Sequence, residues 1–129
     1  ELCELSPIPI ALDEELIGIN LSKAELLDTI KPDYLILKPS LLGGFTECDN
    51  WISLAKENGI KWWATSALEG NVGLNAIAQW VYTKNSKLRQ GLGTGMLFKN
   101  NVNSPLEISA DSIYLNEDKE WDLNFFNKN

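Results

Sequence analysis

The chain has 129 residues, of which 44% are hydrophobic and 22% charged, with a formal net charge of −7. These values are ordinary for one soluble globular domain with its own core. The eleven Lys and Arg residues form no cluster, which argues against a nucleic-acid-binding surface because phosphates require clustered cations. Histidine is absent, so Ser-His-Asp chemistry, Cys-His chemistry and histidine metal ligands are excluded.

No apolar stretch approaches the roughly 20 residues that cross a bilayer. The chain shows no basic-then-apolar leader, so we expect no membrane association and a cytoplasmic location. Cys3 and Cys48 lack metal-site spacing and are expected to be reduced thiols. The only methionine is Met96, and residues 1–5 resemble the last turn of a helix rather than a natural start. We therefore expect a piece of a longer protein.

Apolar runs and helical patterns alternate along the chain. A capping box, Ser22 with Glu25, predicts a helix start, and Gly59 suits the left-handed position after a helix. A flexible loop is expected at 41–45, and a small hairpin or irregular strands around Ala110-Asp111. Strands are predicted over 8–12, 34–37, 60–65 and 91–98. Helices are predicted over 1–5, 23–30, 46–58 and 72–83.

The segment Tyr34–Leu37 is the clearest strand. Its four consecutive apolar residues lie between Pro32 and Pro39. Such a run predicts a strand buried on both faces, as in a parallel sheet covered by helices. The strand delivers Lys38 to its carboxyl end, where α/β sheets carry their chemistry.

The spacing of the strand ends predicts the architecture. Asp13, Lys38, Ser66 and Thr94 each end a predicted strand and are 25, 28 and 28 positions apart. One helix in each interval gives about four βα units, roughly half of a TIM-type barrel. An open doubly wound sheet is the alternative, but no glycine-rich dinucleotide loop follows the first strand. The glycines of 91–95 also precede no helix that would hold a phosphate.

Asp13 and Lys38 suggest a site. They end successive strands about 4.8 Å apart, so their side chains can face one small volume. A carboxylate there suits Mg²⁺, and a lysine with a depressed pKa could act as acid, base or electrostatic support. Alternation along the strand predicts that Glu14 faces away from Asp13. Asp33 and Asp49 are at the wrong strand end, so the site is expected to be incomplete.

Three motifs in this order and spacing resemble the enolase superfamily, within its muconate-lactonizing subgroup. They are Ala11-Leu12-Asp13-Glu14-Glu15-Leu16, then Leu37-Lys38-Pro39-Ser40-Leu41-Leu42-Gly43-Gly44, then Thr65-Ser66-Ala67-Leu68-Glu69-Gly70-Asn71-Val72-Gly73-Leu74. The resemblance covers about residues 8–100. It implies an α/β fold, the C-terminal half of a (β/α)7β barrel. Residues 1–100 would contain strands five to eight, and 101–129 a short irregular or β extension packing toward an absent capping domain.

The resemblance also implies roles for individual residues. Asp13 would be the third of three acidic Mg²⁺ ligands, and Lys38 the lysine of barrel strand six. Substrate-binding positions would be Ser40, Ser66, Ala67, Gly93 and Thr94. The other two metal acids and the lysine expected to act as general base are missing. The chain alone is therefore expected to be inactive.

The implied reaction of the complete protein is a Mg²⁺-dependent lyase step in menaquinone biosynthesis. A succinyl-bearing hydroxycyclohexadiene carboxylate would lose water through an enediolate. A muconate-type cycloisomerase or dipeptide epimerase is the close alternative. An epimerase usually has Asp-x-Asp on its last strand, where this chain has Gly93-Thr94-Gly95-Met96. A non-enzymatic half-barrel that self-associates through exposed strand edges is the second class of function.

Overall fold

The computed structural model describes residues 2–124. Glu1, where the first predicted helix begins, and residues 125–129 lie outside the described residues. Within residues 2–124, the parallel sheet has three strands in the order β1-β2-β3: β1 is Ala11–Leu12, β2 is Tyr34–Leu37 and β3 is Lys61–Ala64. Pairing aligns Leu12 with Leu35 and Leu37 with Ala64. The carboxyl ends of all three strands consequently lie at one edge.

The helices follow the predicted alternation with the strands. Two short 3-10 turns cover Glu14–Leu16 and Gly93–Met96. An antiparallel hairpin, β4 (Leu106–Ser109) and β5 (Ser112–Leu115), follows the barrel-like part and confirms the predicted hairpin. The α-helices are α1 (Leu2–Leu5), α2 (Lys23–Ile30), α3 (Pro39–Leu42), α4 (Phe45–Glu57) and α5 (Asn71–Thr83).

Local sequence signals explain where the predicted helices begin and end. The hydroxyl of Ser22 accepts from the backbone N–H of Glu25, whose carboxylate accepts from the backbone N–H of Ser22. This is the predicted capping box, and α2 has the predicted bounds. Gly59 adopts φ +69° after α4, as expected. Residues 41–45 are not simply a loop, because Pro39 begins the short helix α3 and Gly43 and Gly44, both at positive φ, separate it from α4.

The strand β2 is buried on one face only. Leu35 and Leu37 have no exposed surface and pack in the core with Leu27 and Trp51. Tyr34 and Ile36 point to the opposite face and are half-buried. The prediction of burial on both faces is therefore wrong for this chain. The reason is that no further strands among residues 2–124 close a barrel over the inner face.

The predicted fourth strand over 91–98 is also wrong in extent. Gly91 makes a single parallel bridge with Thr65, and the following residues turn into the second 3-10 turn. The backbone N–H of Gly91 donates to the carbonyl of Ala64 at 2.8 Å, and the N–H of Ser66 donates to the carbonyl of Gly91 at 3.2 Å. The chain thus pairs with the end of β3 at Gly91 but does not continue as a strand.

The hairpin packs loosely beside the core. Ile113 contacts the core cluster, while a cavity of about 920 Å³ lies between α5 and the hairpin. A second cavity of about 790 Å³ is lined by residues from Asn71 to Glu120. Neither cavity includes the strand-end residues Asp13 and Lys38. Within residues 2–124, no helix is long and apolar enough to span a membrane.

The buried thiol of Cys48 should make the free energy of unfolding depend on pH. Burial, reinforced by Asp49 and Glu47, raises the pKa of Cys48 from 9.0 to about 12. Above pH 9 the unfolded chain loses this proton and the folded protein keeps it, so stability falls as pH rises from 9 toward 12. The expected loss is about 1.4 kcal/mol in total between pH 8 and pH 10, most of it above pH 9, measured by urea unfolding at pH 8, 9 and 10. Cys48→Ala should remove this loss and Cys3→Ala should not; equal losses in both variants would contradict the assignment.

Candidate active site

The site begins where β1 turns into the first 3-10 turn. Asp13 follows β1 with φ −122° and ψ −96°, outside the strand conformation. The backbone N–H of Leu16 donates to the carbonyl of Asp13 at 3.2 Å, and the side chain of Leu16 is buried in the core. The carboxylate of Glu15 accepts from the backbone N–H of Asp13 at 2.9 Å. Glu15 therefore stabilises the turn.

The ammonium group of Lys38 lies between two carboxylates. Its Nζ donates to Oδ2 of Asp13 at 2.9 Å and lies 2.9 Å from Oδ1. It also donates to Oε1 of Glu14 at 3.4 Å. The exposed fractions of the three side chains are 16% for Lys38, 36% for Asp13 and 74% for Glu14. The cluster is consequently partly enclosed on the Asp13 side and open to solvent on the Glu14 side.

This geometry corrects the prediction that Glu14 faces away from Asp13. Alternation applies only within a strand, and β1 ends at Leu12. The 3-10 turn instead brings both carboxylates to Lys38. The sequence contained a signal for this turn, because Leu12 and Leu16 are apolar and four positions apart. In a straight strand Leu12, Glu14 and Leu16 would share one face, so burying both leucines would also bury Glu14. Both leucines are buried in the structure.

The electrostatics favour a charged lysine. The hydrogen bond to Asp13 raises the pKa of Lys38; burial opposes this effect, and Glu14 adds to it. A raised pKa is the opposite of the depressed value that proton abstraction by a lysine requires. In the chain as described, Lys38 is therefore suited to electrostatic support.

Asp13 fits a metal only in part. Its Oδ1 is buried and ion-paired with Nζ of Lys38 at 2.9 Å, while the hydrogen bond from Nζ goes to Oδ2. Carboxylate oxygens suit Mg²⁺. However, residues 2–124 contain no group of three acidic, cysteine or histidine side chains placed to hold a metal. Asp33 accepts from the backbone N–H of Ile10 at the opposite strand end, and Asp49 pairs with Lys84. The described residues can offer one ligand and do not form a complete metal site.

A second polar cluster lies in α3, which follows β2, and in the loop after β3. The hydroxyl of Ser66, which is buried, accepts from the hydroxyl of Thr94 at 2.5 Å. The same oxygen accepts from the backbone N–H groups of Leu68 at 2.9 Å and Glu69 at 3.1 Å. Ser66 thereby shapes the loop after β3 and joins it to the segment after Gly91.

Glu69 connects this cluster to the end of β2. One of its carboxylate oxygens accepts from the hydroxyl of Ser40, and the other accepts from the backbone N–H of Ala67 at 2.7 Å. Burial raises the pKa of Glu69, but hydrogen bonds from Ser40, Ser66 and the backbone outweigh it, so the net pKa is lowered. Glu69 is thus an ionised group that links α3 to the loop after β3, a role that the sequence left open.

The structure brings all the predicted residues to one edge of the sheet, in two groups. Asp13 and Lys38 are in direct contact, with Glu14 as an additional member. In the second group, Gly93 is exposed and has no heavy atom within 4 Å of the position a Cβ would take, apart from its chain neighbours. The members of the second group are Ser40, Ser66, Ala67, Gly93 and Thr94, joined largely through Glu69 and Ser66.

Solved structures with this architecture define the class. No protein-family profile matches the chain. Muconate lactonizing enzyme from Pseudomonas putida superposes with a TM-score of 0.72 at 22% identity, over 91% of this chain and 36% of that one. The L-Ala-D/L-Glu epimerase from Bacillus subtilis gives 0.73 at 22% identity, over 87% and 31%. The chain therefore has the fold of part of these enzymes, an α/β arrangement around a parallel sheet, which confirms the predicted fold class of half a TIM-type barrel.

One relative is more similar in sequence. The o-succinylbenzoate synthase of Desulfotalea psychrophila is 56% identical over 110 residues, which are 84% of this chain and 30% of that enzyme. The crystal structure of MenC from Desulfotalea psychrophila LSv54 superposes with a TM-score of 0.79, covering 83% of this chain and 30% of that one. The chain is similar to o-succinylbenzoate synthase and spans about 30% of that enzyme's length.

The bridge between Thr65 and Gly91, which brings Thr94 beside Ser66, leads to a prediction about stability. A Cβ at Gly91 would lie 2.7 Å from Oγ1 and 2.9 Å from Cβ of Thr65. Gly91→Ala must push the two segments apart and is expected to lower stability by about 1–3 kcal/mol. Gly93→Ala has open space and should change stability by less than about 0.5 kcal/mol. Urea unfolding of both variants checks this, and equal losses would contradict the close approach at Gly91.

Proposed function

We propose that this chain supplies one part of the barrel of an o-succinylbenzoate synthase-like lyase. The reaction would remove water from a succinyl-bearing hydroxycyclohexadiene carboxylate to give o-succinylbenzoate. The identity of 56% to the Desulfotalea synthase carries the proposal. The Lys38–Asp13 contact at the carboxyl edge of the sheet supports it, because TIM-barrel active sites are at that edge.

Lys38 is proposed to act as a fixed positive charge. Removing a proton next to the substrate carboxylate leaves developing negative charge, which a nearby ammonium group stabilises. The side chain of Lys38 is 16% exposed, and reduced contact with water strengthens such an interaction. An ammonium group has three N–H donors. Asp13 and Glu14 accept two of them, so one remains for a substrate oxygen.

Asp13 is proposed to contribute one carboxylate ligand to a Mg²⁺ site completed by segments outside this chain. The position of this carboxylate at the carboxyl edge of the sheet, with Oδ1 buried, supports the assignment. When bound, Mg²⁺ would orient and polarise the substrate carboxylate. The remaining ligands and the general base would have to come from elsewhere, so this chain alone is expected to be inactive.

The segments that follow β2 and β3 are proposed to line the substrate-binding site. Ser40, Ser66 and Ala67 form hydrogen bonds that hold these segments together. Gly93 and Thr94 would complete the wall, since Thr94 donates to Ser66. Menaquinone biosynthesis in the cytoplasm is the corresponding proposed setting.

Lys38→Ala in a grafted enzyme tests this function. We would replace the matching 110-residue region of the Desulfotalea synthase with the segment of this chain that aligns with it. The rate of dehydration would then be measured. The unaltered graft should turn over substrate. Lys38→Ala should lower kcat by about 10²–10³-fold, the loss typical when a transition-state charge partner is removed. Thermal unfolding should be little changed, because the lost partners are partly exposed.

Lys61→Ala is the matched control because Lys61 is an exposed lysine at the amino end of β3, the opposite edge of the sheet. It should retain activity. An inactive but folded graft, or near-normal turnover in folded Lys38→Ala, would contradict the proposal. Assaying dipeptide epimerisation and cycloisomerisation on the same graft separates the neighbouring activities, because only the proposed synthase should favour dehydration.

When produced alone, the chain is proposed to self-associate through the β1 edge with a second copy. Among residues 2–124, β1 is paired only with β2. Exposed apolar side chains surround that edge in sequence: Leu2, Leu5, Ile8, Ile17 and Leu21 are 42% to 75% exposed. An open strand edge beside apolar surface favours pairing between chains.

Sedimentation velocity at several concentrations tests this association. The chain should sediment as dimers or larger species, and Ile8→Lys should shift it toward monomer because charge discourages edge pairing. Lys56→Ala, on α4, is the control and should not change the distribution. A single monomeric species at every concentration would contradict the proposal.

A further inference from the structure

We propose that Glu14 is a positioning residue, which holds the ammonium group of Lys38 at the open side of the site. The inference rests on the proposed function and adds a specific residue to it. Its basis is the 3-10 turn at Glu14–Leu16, which brings the Glu14 carboxylate to 3.4 Å from Nζ of Lys38. Neither the proposed metal ligation nor the proposed substrate wall requires this contact.

The two carboxylates around Lys38 are not equivalent. Asp13 has both oxygens 2.9 Å from Nζ and is the less exposed partner. With Asp13 alone, the ammonium group would be drawn toward the enclosed side. Glu14, at 74% exposure, holds it from the solvent side. The position of Nζ, and the direction of its remaining N–H, therefore depend on both carboxylates.

The turn itself assigns this role to Glu14 rather than to Glu15. The carboxylate of Glu15 accepts from the backbone N–H of Asp13, and Leu16 is buried in the core. The hydrogen bond at Asp13 and the burial of Leu16 together hold the backbone of the turn in place. Glu14 then lies next in the turn, with its carboxylate 3.4 Å from Nζ of Lys38.

The contact should matter for turnover far more than for folding. Exposed ion pairs contribute little to stability, so Glu14→Gln should change the melting temperature by less than about 2 °C. A displaced charge partner in an active site costs much more. We expect Glu14→Gln in the graft to lower kcat about tenfold with KM changed less than twofold.

Glu14→Asp separates position from charge. It keeps the negative charge but withdraws it by one methylene, so a positioning role predicts a loss of kcat similar to that of Glu14→Gln. Glu47→Gln is the matched control, since Glu47 also pairs with a lysine, Lys23, but on the helical side of the sheet. It should leave kcat unchanged. Full activity in Glu14→Asp, a rise in KM alone, or a large fall in melting temperature would overturn the inference.

A measurement without substrate keeps this test independent of the proposed reaction. The order parameter of the Lys38 ammonium group, from ¹⁵N NMR of this chain, should fall in Glu14→Gln and remain unchanged in Glu47→Gln. An unchanged value in Glu14→Gln would overturn the inference even in an inactive graft. An active graft with normal Glu14→Gln turnover would overturn the role of Glu14 alone and leave the proposed lyase standing.

Discussion

Parallel pairing of β2 with β1 and β3 is the constraint on which the rest of the structure depends. The register places Leu12 beside Leu35 and Leu37 beside Ala64, so the residues that follow each strand emerge at the same edge. Burial of Leu35 and Leu37 against α2 and α4 holds that register, because a shift of one residue would expose both leucines. Asp13 and Lys38 meet for this reason, although 25 positions separate them in the chain.

The parts of the fold that could be predicted are those with a local signal. The capping box of Ser22 and Glu25 and the apolar run at Tyr34–Leu37 determined the bounds of α2 and β2 without help from distant residues. The spacing of strand ends likewise predicted the partial barrel. The turn after Leu12 could not be recognised by alternation, because its conformation depends on burying Leu16 in a core built from distant segments.

The incomplete strand at Gly91 has a different cause. Glycine-rich sequence has little intrinsic preference for a strand, and pairing on both sides would be needed to extend it. Within residues 2–124, Thr65 is the one bridge partner of Gly91, and the chain then forms the Gly93–Met96 turn. The half-exposed face of β2, at Tyr34 and Ile36, has the same origin. Both departures from prediction show where an enclosing barrel wall would be needed.

The charge balance at Lys38 links this incomplete architecture to the proposed chemistry. One lysine held between Asp13 and Glu14 is a stable charge pair, and its raised pKa supports a role as a cation. In the proposed reaction a proton acceptor would still be required on the opposite side of the substrate, and a divalent cation would need more ligands than Asp13. Under that proposal the described residues would supply charge stabilisation and one wall of the substrate site. The 56% identity over 30% of the Desulfotalea synthase has the same implication, since the complementary groups would belong to the rest of such an enzyme.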